Sequence, residues 1–394
     1  MRLSPRIEFA NRLRGLAALS VVLYHYSMFW VFGWPPRIWA NLPDTAASAD
    51  LPMTWMYQFP VRQRRDWIPT IDWGAFGVAL FFLISGFVIA NSVKRYSPRE
   101  FLINRLLRIY PTYAVGFACV VGVLALSGAL YGRGFPYSTS QVLAHMLPGI
   151  RQALGSVYID PVIWTLETEI KFYAVVFLAL MFVDRQSFPA MRIAVTLGVC
   201  GVIAAWLRPA FLVSSPGLRQ LLSDLQFVVF IFIGAIFFEL WCKDISPQQA
   251  SLKIITLGAI FSLIWLLSWR GEPIAGQSIG RIWSYAAAVA VFKIAMDQSD
   301  WFENQNTIAD FFARISYPLY VVHLAPGYLI MTLLRSTALW PPVIIALTLA
   351  AVCVLAVVLH VAVELPTQRF ARRLAAPTKK LQPLLGDSPA SPAE

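Results

Sequence analysis

The chain has 394 residues, of which 58% are hydrophobic and only 13% charged. A soluble domain carries about a quarter charged residues, so this composition excludes a string of soluble domains and points to one polytopic membrane bundle of all-α class. The net charge of +11 would suit a nucleic-acid partner. The basic residues, however, gather at the ends of apolar segments on alternate loops, which is how membrane topology is encoded.

Taken in order, apolar runs near the length of a bilayer crossing predict ten spans. They lie at about 13–32, 73–91, 110–130, 161–183, 193–207, 221–241, 254–269, 282–296, 315–334 and 343–363. The first run is too long for a cleavable signal and stays as a helix. Arg2, Arg6, Arg12 and Arg14, then Lys94 to Arg108, and finally Arg369 to Lys380 weight one set of loops with positive charge. That places both termini on the cytoplasmic side. The first outer loop, about 33–72, is rich in proline and tryptophan and is expected to pack as a cap. The second, about 131–160, is expected to hold a short helix around Val142 to Leu154. Residues 1–370 form the membrane domain, and the polar, proline-rich 371–394 is expected to be a disordered cytoplasmic tail. No internal repeat of the kind that marks many transporters is found.

The first span carries the most informative pair. Arg14 and His25 are eleven positions apart, close to three helical turns, so they share a face and lie roughly 16 Å apart along the axis. With Arg14 at the cytoplasmic rim, His25 sits near mid-membrane, where an ionisable group marks a functional site. Tyr24 and Tyr26 flank it. Imidazole is the natural general base for a hydroxyl nucleophile.

Three further stretches carry chemistry. Trp164-Thr-Leu-Glu167-Thr-Glu169-Ile-Lys171-Phe-Tyr173 opens the fourth span. Glu167 and Lys171 are spaced to neutralise each other. Glu169 lies about 200° round the helix from Glu167 and needs a partner from another helix, for which His25 is the candidate. Before the third span, Arg105 and Arg108 stand three apart and form a fork suited to phosphate. In Ile315-Ser-Tyr317-Pro-Leu-Tyr320-Val-Val-His323-Leu-Ala-Pro326, His323 reaches mid-depth, and Pro326 frees a carbonyl that a buried donor could use. His145 and His360 are read as structural. The four cysteines show neither metal-ligand spacing nor a disulfide framework, and no metal is expected.

Together these stretches resemble the membrane-bound acyltransferase-3 family over roughly residues 8–370. Arg14 and His25 match its arginine-ten-histidine signature. Phe81-Phe82-Leu-Ile-Ser85-Gly86-Phe87 resembles its second-helix motif, and Arg105 with Arg108 its arginine pair. Trp164-Thr-Leu followed by Glu169 and Phe172-Tyr173 resembles its fourth-span motif, with Ile170 where a second acid is usual. Ile315-Ser-Tyr to His323 and Glu364-Leu-Pro366 complete the match. The resemblance implies an O-acyltransferase of the bacterial inner membrane that takes acyl groups, usually acetyl from acetyl-CoA, to surface sugars. It implies His25, Glu169 and Arg14 as catalytic residues and Arg14, Arg105 and Arg108 as the acyl-CoA cradle. Tyr24, Trp164, Tyr173 and His323 would support the substrate, with membrane lipid and a carbohydrate acceptor as partners. The alternative is a proton-coupled transporter or flippase for a sugar-containing substrate, using His25, Glu169 and His323 as a relay.

Overall fold

The computed structural model describes residues 8–31, 41–42, 71–149, 151–207, 216–268, 275–302 and 306–374, and among them there are helices and turns but no strand. Helix α1 runs Glu8–Val31, α2 Trp73–Arg95, α3 Pro98–Leu130, α4 Thr139–His145 and α5 Ile163–Leu180. Then come α6 Ala190–Leu207, α7 Pro216–Trp241, α8 Pro247–Ser268 and α9 Ala275–Asp297. The last group is α10 Thr307–Val322, α11 Leu324–Arg335, α12 Pro341–Leu359 and α13 Leu365–Leu374, with a π turn at His360–Glu364 joining the final two.

Six helices are long and apolar enough to cross a membrane, and a seventh span results if α10 and α11, which meet at a 79° bend, count as one. The ten expected spans exceed this number. Helices α1, α5 and α9 occupy the remaining expected positions, but each carries charge in its membrane-length stretch: Arg12 and Arg14; Glu167, Glu169 and Lys171; Arg281 and Lys293.

Local sequence sets several of these boundaries. Ser97 and Glu100 form a reciprocal capping box, with Pro98 at the first helical position. The pre-formed first turn starts α3 well before position 110, so the arginine fork sits on a helix. The outer segment behaves differently from expectation. Its helix spans Thr139–His145, opened by a Ser138–Gln141 capping box, and does not reach Leu154. Gly149 and Gly155 take φ of +87° and +64°, left-handed conformations that end a helix. Of the expected 33–72 cap, Asn41, Leu42, Ile71 and Asp72 are described; Asn41 donates to the Gly134 carbonyl at 2.6 Å, and Arg133 to that of Leu42 at 2.6 Å. The rest of that cap, and the tail beyond Leu374, lie outside the described residues.

Helix α2 is the axis of the bundle, packed along α7, α1 and α9. Its crossing with α7 is backbone to backbone: a Cβ on Gly86 would collide with the Ile231 carbonyl, and one on Gly234 with that of Leu83. Small residues at such crossings let membrane helices gain van der Waals contact where lipid offers no hydrophobic drive. Helix α1 lies along α10, clasped at one end by the Arg12–Asp310 ion pair at 3.0 Å. An aromatic cluster of Phe227, Phe230, Phe261, Trp265 and Tyr285 fills the α7–α8–α9 side. This arrangement leaves α1, α2, α3, α5 and α10 around a polar interior.

Candidate active site

A cavity of about 1060 Å³ opens between these helices at the end of the bundle where α1 begins. Glu8, Arg12, Arg95, Asp310 and Arg314 edge its mouth; Arg14, Arg105 and Arg108 line its middle with Ser85, Glu169, Tyr173 and Glu364. Toward its other end it is lined by Phe81, Asp160, Val162, Thr165 and Tyr320. The α3 fork presents Arg105 and Arg108 to one space, as their three-residue spacing requires.

Arg105 is 6% exposed; its Nη2 donates to Ser92 Oγ at 2.9 Å, and its Nε has no partner among the described residues. The guanidinium lies 5.9 Å from the centre of the Tyr173 ring. Arg14 and Arg108 make no hydrogen bond or ion pair among the described residues, although Glu169 and Glu364 lie within electrostatic range of Arg14. Three guanidinium groups around one space with unused N–H donors are chemically suited to an anion, phosphate above all.

Glu169 has a different neighbourhood from the one expected. Its Oε1 accepts from Ser85 Oγ at 2.5 Å and from the Tyr173 hydroxyl. The expected His25–Glu169 pair is not formed: α5 turns this carboxylate toward α2 and the arginines, whereas His25 faces α10. The expected Glu167–Lys171 neutralisation is also replaced. Glu167 is gripped by Arg151, with Nε to Oε1 at 3.0 Å and Nη2 to Oε2 at 2.8 Å, while Lys171 pairs with Asp224 and Gln152. Longer-range partners win because a two-pronged guanidinium satisfies both carboxylate oxygens, which a lysine one turn away cannot.

His25 finds its partner across 298 positions of chain: its Nδ1 lies 3.0 Å from Nε2 of His323. Nδ1 of His323 lies 2.8 Å from the Tyr320 carbonyl. A carbonyl only accepts, so His323 carries its proton on Nδ1 and accepts on Nε2. His25 then donates from Nδ1, which leaves its Nε2 without a proton. The helix break at His323 makes this possible, since its carbonyl and that of His25 are tied by Tyr26 at 3.0 Å and Tyr328 at 3.3 Å.

Neither imidazole lines the cavity. Tyr320 separates them from it: its hydroxyl shares a 2.7 Å hydrogen bond with Thr165 Oγ1, and its ring lies 5.4 Å from Phe81 and 5.8 Å from His323. One tyrosine therefore stands between His25 and the cavity that Arg14 lines. Tyr24 turns away toward Asp72, and Trp164 packs between Phe82 and Phe227, so neither faces the cavity. Tyr173 does. Tyr320, Thr165, Ser85, Glu364 and Asp160 line it without having been assigned roles from the sequence. The signal for Tyr320 was its place one helical turn before His323. Among the described residues no cluster of three or more His, Cys, Asp or Glu side chains is placed to hold a metal.

Against this geometry stand the comparisons with known proteins. The exopolysaccharide production protein ExoZ of Rhizobium meliloti (strain 1021) is 28% identical over 265 residues, which cover 64% of this chain and 75% of ExoZ. Nodulation protein 10 of Rhizobium leguminosarum bv. viciae is 32% identical over 124 residues, and the chain spans only 33% of that protein's length. No solved structure matches. The family described as "Acyltransferase domain" matches residues 7–361, a stretch holding both imidazoles, the arginine fork and all but the last turns of the cavity wall, and the chain belongs to that family.

Proposed function

We propose that this protein is an integral-membrane O-acyltransferase. It moves an acyl group, acetyl in the simplest case, from cytoplasmic acyl-CoA to a hydroxyl of a surface polysaccharide or its lipid-linked precursor in the bacterial inner membrane. The observation that carries this reading is the meeting of an arginine-walled cavity and a histidine pair at a single residue, Tyr320. The name of the ExoZ relative supports a polysaccharide acceptor.

The donor's phosphates lie against Arg14, Arg105 and Arg108, and the pantetheine arm runs along the cavity toward Tyr320. Movement of that ring lets the thioester reach His25. The Nε2 lone pair of His25 takes the proton of the acceptor hydroxyl as its oxygen attacks the thioester carbonyl. The carbon–sulfur bond breaks and the departing thiolate takes the proton, giving ester and free CoA. An acyl group held briefly on the same nitrogen and then passed to the hydroxyl would use the same atoms. Glu169, held by Ser85 and Tyr173, keeps the arginine cluster from repelling itself open.

The test is transfer of radiolabel from [14C]acetyl-CoA to extracted cell-surface glycan by the purified protein, with no ion gradient. Wild-type turnover, and none with folded His25→Ala protein, is the expected result. Undiminished transfer by His25→Ala would remove His25 from the mechanism, and gradient-dependent glycan movement without transfer would favour the transporter.

A further inference from the structure

Four carboxylates are buried among the described residues: Asp160, Glu167, Asp224 and Glu364. Glu167 is matched by Arg151, Asp224 by Lys171, and Glu364 by His360 at 2.6 Å. Asp160 differs. It is 4% exposed, and among the described residues its one side-chain hydrogen bond is from the Val162 backbone N–H to Oδ1 at 3.1 Å. No guanidinium, ammonium or imidazolium pairs with it among the described residues. A buried carboxyl left in this state is costly unless it holds a proton, and either way its second oxygen lacks a partner that something outside the chain could supply.

Its position identifies what that is. Asp160 lines the end of the cavity away from the arginines. Of the hydroxyls nearby, Tyr113 donates to the His145 carbonyl at 2.7 Å, and Thr165 bonds the Val162 carbonyl and Tyr320. None of these bonds goes to the second oxygen of Asp160. A carboxylate repels phosphate, so this end does not suit the anionic part of a nucleotide. It suits a neutral molecule offering O–H donors, and a carboxyl among aromatic side chains such as Phe81, Tyr113 and Tyr320 matches a pyranose, with apolar ring faces and donor hydroxyls.

The segment is also held rigidly. The Arg151–Glu167 pair, 2% and 0% exposed, ties the turns before Asp160 to α5, and the Asp160 backbone N–H donates to His145 Nε2 at 3.4 Å. Through Thr165 and Tyr320 the same end of the cavity adjoins the His25–His323 pair. A hydroxyl seated on Asp160 therefore lies on the cavity side of Tyr320, with the His25–His323 pair on the other.

We propose that Asp160 is an acceptor-binding residue whose free carboxylate oxygen takes a hydroxyl of the incoming sugar. Naming that sugar as the acyl acceptor rests on the function proposed above; the binding itself does not.

The experiment uses full-length protein in lipid nanodiscs, with radiolabelled octyl β-D-glucoside and octyl β-D-galactoside as probes, and acetyl-CoA affinity measured in parallel. At least one glycoside is expected to bind, Asp160→Asn to weaken it tenfold or more, and acetyl-CoA affinity to stay the same. Labelling of wild-type protein by dicyclohexylcarbodiimide, mapped by peptide mass spectrometry, keeps the test open should the variant fail to fold. Bound glycoside is expected to shield Asp160 and leave Glu364 labelled as before. Binding unchanged in Asp160→Asn, no binding of either glycoside by wild type, or absence of shielding overturns the assignment. Failure of acetyl-CoA alone to bind would count against the donor reading and leave the glycoside result standing.

Discussion

Nδ1 of His25 lies 3.0 Å from Nε2 of His323, and the Tyr320 carbonyl 2.8 Å beyond fixes the proton on the far side of the second ring. One helix thus supplies an imidazole and another decides which of its nitrogens carries the proton. Replacing His323 by Ala should remove the acceptor that holds His25 in this tautomer. The expected result is a fall in kcat of about 10²–10⁴-fold with the KM for acyl-CoA unchanged, measured by radiolabel transfer. His323→Gln, whose side-chain oxygen can accept the same hydrogen bond, should recover part of the loss; equal loss in both variants would mean that the ring itself is required.

Arg108 lines the cavity with no hydrogen bond among the described residues, so its donors are open to a ligand. Loss of a hydrogen bond to a charged group is worth roughly 1.5–3 kcal/mol. Arg108→Gln should accordingly weaken acetyl-CoA binding by about ten- to a hundredfold, and added salt should weaken the wild type more than the variant. Isothermal titration at two ionic strengths measures both. Arg105→Gln should also lower thermal stability, because that side chain holds Ser92 and packs on Phe101 and Tyr173.

The Arg151–Glu167 pair is almost wholly removed from solvent. Breaking a buried pair from one side leaves an uncompensated charge and costs roughly 3–5 kcal/mol. Glu167→Ala and Arg151→Ala should each lower the melting temperature in detergent sharply. The double replacement Arg151→Met with Glu167→Leu should be less harmful than either, since it removes both charges and keeps volume.

Burial pushes the Asp160 carboxyl up to about 7 from its ordinary 3.8. The groups within electrostatic range are Tyr113, Tyr137 and Tyr320, with His145 Nε2 at its backbone N–H. Between about 4 and 7 the folded protein keeps a proton that the unfolded chain has shed, so this group makes stability fall as pH rises through that window and level off above it. Asp160→Asn should flatten the decline. Melting temperatures at pH 5 and pH 8 for the two proteins check the sign.

Much of this site was legible in the chain. Arg14, Arg105, Arg108, Glu169 and Tyr173 were picked out by charge in apolar surroundings and by helical spacing, and all line one cavity. Both mid-depth histidines were marked by their burial in apolar runs. What could not be read was pairing. Helical periodicity fixes which face of its own helix a side chain occupies, but not which helix is packed against that face. Hence Glu169 was assigned to His25 and Glu167 to Lys171, when α5 brings them to Ser85, Tyr173 and Arg151.

By itself, then, the sequence determined that this is an all-helical membrane protein with an arginine-lined interior and imidazoles at depth, because hydrophobicity and charge act residue by residue. Only the tertiary structure decided that His25 answers to His323, that Tyr320 stands between the pair and the cavity, and that Asp160 has no cation partner among the described residues. Those relations join segments up to 298 residues apart. They follow from the bend at His323 and the backbone contact of α2 with α7, which are properties of packing and not of any one stretch of chain.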